Sequence, residues 1–313
     1  MWEKFTPSAL SIIKSATREA KLSGYPEVNT SHLLFSLVRQ RTEGVRASQV
    51  LRDFNLSPEV VYDELIAVKA ESPTDRKLPL APEAETVLRL ALEEANRAQF
   101  PKIGGDELLI GLLNARESTA SRFLYDRGVT REDAQVKLVE LALLEQIDYA
   151  LGRDQEDYTP LVKACSPKLR RAFFQAVKLT LAEGSPDFGP EHLLRGVLLS
   201  ESNELTQLLQ ELDYPTDRLR RQLEEAKPSF VTPETTPVMP QPTSALRECI
   251  VQMHRERELL SDPLLNTVHL LLALLSQTQS TLHERIQSLG DVNVLNHRRM
   301  VERLRHQREM RAE

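Results

Sequence analysis

Glycine is scarce in this chain, at 11 of 313 residues, and the abundant residues (leucine, alanine, glutamate, arginine) are helix formers. There is no convincing run of alternating β-branched residues, which excludes a sheet-based core and leaves an all-α fold. Cysteine is nearly absent: Cys165 and Cys249 stand far apart with no CxxC spacing. A disulfide framework is thereby excluded, and buried thiols in a reducing compartment are expected. No apolar run approaches the ~18 residues needed to span a bilayer. The start, MWEKFTPSAL, carries no apolar signal core. A cytoplasmic protein with no membrane contact is the expectation. A net charge of −6 argues against a general nucleic-acid binder.

The signatures of chemistry are missing too. No G-x-x-x-x-G-K-[ST] loop is present, since Gly104-Gly105 lacks the following Lys and Ser or Thr. No G-x-S-x-G elbow or HExxH appears. The expectation is a non-enzymatic protein without a cofactor or metal.

What is present is a repeat. The turn and leucine-rich run DFGPEHLLRGVLL (Asp187 to Leu199) has counterparts at IGGDELLIGLL (Ile103 to Leu113), VNTSHLLFSL (Val28 to Leu37) and NTVHLLLALL (Asn266 to Leu275). Aligned at Ser31, Asp106, Glu191 and Val268, the copies are offset by 75, 85 and 77 residues. Pro7, Pro82 and Pro167 each lie 24 residues upstream of the aligned position, and the fourth copy opens at Thr243-Ser244 without a proline. A Ser or Thr before Pro starts a helix, because its hydroxyl takes an orphan amide and the proline gives up a donor that had no partner. Helical periodicity follows: Leu169, Ala172, Phe173, Ala176, Val177 and Thr180 share one face, as do Leu246, Cys249, Ile250 and Met253. Each repeat should comprise four or five short helices. They group as two domains, 1–145 and 160–313, with a linker at 146–159 and a proline-rich connector at 228–243 inside the second.

FTPSALSIIKSATREAKLSGYPEVNTSHLLFSLV and the Glu191-His192-Leu193-Leu194 turn with Gly196 resemble the N-terminal repeat domain of the Clp AAA+ unfoldases, the ClpC branch above all. The resemblance implies a compact all-α domain of two pseudo-symmetric repeats, present twice and standing without the motor. It implies protein partners (a Clp-type unfoldase, its adaptors or its substrates) and a docking role. It further implies a carboxylate at the aligned turn that holds the guanidinium of phosphoarginine-tagged proteins, a task suited to a bidentate acceptor. Asp106 and Glu191 are acidic there, whereas Ser31 and Val268 cannot hold a guanidinium. The plainer reading of Asp106 and Glu191, and the one favoured, is a charge that complements a helix start.

His32, His192 and His269 recur beside this position but lack ligand-spaced neighbours, so first-turn structural bonding is expected. The arginine-rich end NHRRMVERLRHQREMRAE reads first as a solvated terminal helix packed through Met300, Val301 and Leu304. An acidic protein partner is second, and nucleic acid last. The alternative function is a helical scaffold outside proteolysis.

Overall fold

The computed structural model describes residues 2–40, 45–67, 73, 76–98, 100, 102–152, 159–200, 203–225, 239–289 and 296–312. The side chains of Trp2, Glu309, Arg311 and Ala312 are outside the description. The chain divides into two units, Met1–Leu138 and Val139–Glu313.

The first unit opens with a 3-10 turn (Trp2–Lys4) and continues through α1 (Pro7–Leu22), α2 (Thr30–Arg39), α3 (Arg46–Asp53) and α4 (Pro58–Val61), which runs on as a π-turn over Tyr62–Ile66. The second repeat supplies α5 (Pro82–Arg97), α6 (Gly105–Asn114), α7 (Thr119–Asp126) and α8 (Arg131–Ala150). The division between units falls within α8, and helix continues to Ala150, inside the stretch expected as a linker; residues 153–158 of that stretch lie outside the described residues. The second unit adds α9 (Leu161–Ala164), α10 (Pro167–Ala182), β1 (Asp187–Phe188), α11 (Pro190–Leu199), α12 (Glu204–Glu211) and α13 (Thr216–Glu225). It closes with β2 (Gln241–Pro242), α14 (Ser244–Leu259), α15 (Thr267–Ser276), α16 (Thr281–Leu289) and α17 (His297–Ala312). Of the proline-rich connector, 228–238 lie outside the described residues, and its end forms β2.

The hydroxyls read as helix starts do cap. Thr6, Ser166 and Thr243 accept the amides of Ala9, Leu169 and Leu246 at 3.2, 3.3 and 3.2 Å. The leucine-rich runs form the centre of each repeat. In α2 and α15 nine consecutive residues are buried, Thr30–Val38 and Thr267–Leu275. A helix apolar on every side has to be enclosed. The enclosing helices α1, α5, α10 and α14 are one-sided: α10 buries Leu169, Ala172, Phe173, Ala176, Val177 and Thr180, the face its periodicity marks.

Within each unit the repeats exchange short extended segments. Phe5 bridges Ile103 and Val28 bridges Leu80 in the first; Cys165 bridges Leu265 and β1 pairs with β2 in parallel in the second. The bonds repeat in kind: Thr6 and Ser166 donate their amides to Ile103 and Leu265 carbonyls at 2.9 and 2.7 Å. Ala81 and Thr243 donate to Val28 and Phe188 at 2.9 and 3.1 Å. These segments set the start of each repeat beside the lead-in to the other repeat's leucine-rich helix, and those of the first unit line the grooves described below.

Candidate functional site

Each leucine-rich helix begins in the same way. The third helical residue folds back to accept the amide of the N-cap residue: His32 Nδ1 from Asn29, Glu107 Oε2 from Gly104, His192 Nδ1 from Gly189 and His269 Nδ1 from Asn266, at 3.2, 2.6, 3.0 and 2.9 Å. This is a capping box, with histidine in place of the usual glutamate in three of four copies. A ring that accepts at Nδ1 is neutral. Burial agrees with that, lowering His32 and His269 to about 4 and lowering His192 against the pull of neighbouring Glu191. The recurrent histidines are therefore structural. Among the described residues no three His, Cys, Asp or Glu side chains are grouped to hold a metal.

The aligned position precedes this residue. Ser31 and Val268 are 2% and 5% exposed. Asp106 is engaged: Oδ1 accepts the Ala47 amide at 3.1 Å, and Oδ2 accepts Arg46 Nε and lies 2.8 Å from a second guanidinium nitrogen. Asp106 thus serves as N-terminal partner of α3, whose own N-cap Val45 has no side-chain acceptor. Its side chain is 19% exposed, while that of Glu117 in the same unit is 95%. The reason is Arg46, sixty residues earlier in sequence. Glu191 differs. Its side chain is 48% exposed and curls over Gly189, where a β-carbon would meet the carboxylate. The two acids are in separate units and have different surroundings.

Two concave features of the first unit lie beside the exchanged segments. One cavity of about 340 Å³ is lined by Phe5, Leu80, Leu88, Leu92 and Ile103, with Lys4, Glu85 and Arg89 at its edge. A second, about 590 Å³, is lined by Leu10, Ile13, Val28, Leu78 and Leu80, with Lys14, Lys21 and Lys77 around it. The repeat offset of 75 carries one into the other: Ile13 to Leu88, Lys14 to Arg89, Thr17 to Leu92 and Val28 to Ile103. Sequence reasoning passed over these grooves because each residue alone is an ordinary member of an amphipathic helix. The signal that could have found them is the recurrence of an apolar pair followed by a base at the outer edge of the buried face.

In α17, Met300, Val301 and Leu304 are buried as expected. Several of its arginines serve the chain itself: Arg308 holds both oxygens of Asp262, Arg305 donates to the Leu259 carbonyl at 2.9 Å, and Arg303 lies 3.5 Å from Glu211.

Fold and site together define a tandem of two all-α domains, each made of two copies of one capped, leucine-centred repeat. The chain belongs to the Clp repeat (R) N-terminal domain family, which matches residues 4–126 and 164–289. It is 32% identical over 143 residues to the chaperone protein ClpC1, chloroplastic, of Arabidopsis thaliana, covering 45% of this chain and 15% of that protein. A ClpA homolog of Porphyra purpurea, an ATP-dependent Clp protease ATP-binding subunit, is 33% identical over 143 residues, covering 45% and 17%. The solved N-terminal domain of the caseinolytic protease associated chaperone ClpD of Arabidopsis thaliana is similar at 22% identity and a TM-score of 0.36, covering 45% of this chain and 96% of that one. The chain spans less than a fifth of the length of these curated relatives. Among the described residues no helix is long and apolar enough to cross a membrane.

Proposed function

We propose that this chain is a non-catalytic docking module of a Clp-type chaperone or protease system, binding segments of substrate or adaptor proteins. The observation that carries the reading is the pair of apolar grooves in the first unit, each edged with lysine or arginine. An apolar floor removes leucine-sized side chains from water, worth about 1.5–3 kcal/mol for each one fully buried. A net basic edge, three lysines on the second groove and Lys4 and Arg89 against Glu85 on the first, selects against cationic segments and favours acidic ones. The test is a peptide array, representing unfolded proteins, probed with the full chain and with Leu92→Asp, a half-buried groove residue. Binding to apolar, acidic peptides that is lost in the variant supports the reading; equal binding by both, or none by the wild type, contradicts it.

A second, finer reading concerns guanidinium docking and rests on Asp106, which already holds a guanidinium in a forked geometry, that of Arg46. On this reading the site of the first unit is filled internally and Glu191 offers the open carboxylate. Calorimetry with phosphoarginine should then give heat that Glu191→Ala removes; no heat from the wild type rejects it.

A further inference from the structure

The two units differ at equivalent grooves. Phe5, Leu88, Leu92 and Ile103 of the first correspond to Cys165, Ile250, His254 and Leu265 of the second, by the shared bridges (Phe5 to Ile103, Cys165 to Leu265) and by counting from the helix starts of α5 and α14. In the first unit Lys4 beside Phe5 is exposed, and the groove is open. In the second its counterpart Ala164 is 2% exposed.

The segment leading to Cys165 is bonded by α8. The residues of α8 beyond Leu138 belong to the second unit. Leu143, Leu144 and Ile147 are 1%, 1% and 0% exposed, and so is the carboxylate residue Asp148, at 4%. Asp148 Oδ1 accepts the amide of Leu161 at 3.0 Å, the first residue of α9 and four positions before Cys165. The charge of Asp148 acts on both Cys165 and His254. It works with burial to push the Cys165 thiol up to about 12, and it opposes the burial that lowers His254.

We propose that residues 140–148 of α8 are an internal occupant of the second unit's groove, seated by Leu143, Leu144, Ile147 and Asp148, and that an apolar, acidic segment of a partner protein takes the same place when α8 leaves. The first unit is then permanently receptive and the second is conditional. This rests on the reading of these grooves as docking surfaces.

The chain's two cysteines provide the test. Cys165 lies in this groove, whereas Cys249 sits at 0% exposure in the core face of α14. Native-state labelling with a thiol reagent, followed by mass spectrometry of the full chain, measures the opening of each. Departure of α8 alone exposes Cys165, so in the wild type Cys165 should label at least ten times faster than Cys249. Ile147→Ala should raise the Cys165 rate tenfold or more and leave Cys249 unchanged. Equal rates at both thiols in the wild type, or rates that rise together in the variant, show that α8 is inseparable from the core and overturn the proposal. A peptide of residues 139–150 (VELALLEQIDYA) added to the variant should slow Cys165 labelling again. Selective opening without that protection retains the internal contact but overturns docking in trans, so the two parts fail separately.

Discussion

Arg46 decides what Asp106 can do. A carboxylate that accepts one amide and both arms of a guanidinium has its forked face already taken. Arg46→Ala should vacate it, and binding of phosphoarginine or an arginine-rich peptide should then appear at the first unit. A charge-assisted bond is worth about 1.5–3 kcal/mol, or roughly ten- to a hundred-fold in affinity. Calorimetry comparing wild type, Arg46→Ala and the double variant Arg46→Ala/Asp106→Ala checks this, the gain being expected only in the second. Residues also set the response to pH. His32 and His269 are lowered to about 4 by burial, so the folded state refuses protons that the unfolded chain accepts near pH 6.5. Their contribution is present above pH 6.5 and is lost as the pH falls from there towards 4, with a limiting slope of about 1.4 kcal/mol per unit for each histidine. Glutamine keeps the N3 acceptor without titrating. Urea melts of His32→Gln between pH 7 and 4.5 should therefore show a shallower loss than wild type.

At the scale of elements, the position five residues after each aligned turn is Ser36, Gly111, Gly196 or Ala273, always small. A β-carbon on Gly111 would stand 2.7 Å from the Val87 carbonyl oxygen, and one on Gly196 would run into the Ala172 carbonyl. These glycines set how closely α6 crosses α5 and α11 crosses α10. Gly111→Ala and Gly196→Ala should each destabilise by about 1–3 kcal/mol, read as a lower urea midpoint at unchanged slope. Much of this level was legible in the sequence. Hydroxyl–proline starts and leucine runs are local signals, and the buried face of α10 coincides with its periodicity. The glycine of the motif was visible, but its purpose depends on a second helix. Arg46 on Asp106 and Asp148 on Leu161 join residues sixty and thirteen positions apart, and no local pattern predicts such pairs.

For the whole molecule, the duplicated unit produces four equivalent helix starts but not four equivalent sites. Glu191 is half exposed, Asp106 is paired, and Ser31 and Val268 are buried. Function therefore has to be assigned groove by groove, and the central claim concerns the open groove of the first unit. The most direct measurement is fluorescence anisotropy of a labelled VELALLEQIDYA peptide titrated with the full chain, wild type against Leu92→Asp, with thermal melts confirming that both are folded. Burial of one leucine corresponds to roughly ten- to a hundred-fold in affinity. The account predicts saturable binding by the wild type that is weakened at least tenfold in the variant; superimposable curves, or no binding by either, would contradict it.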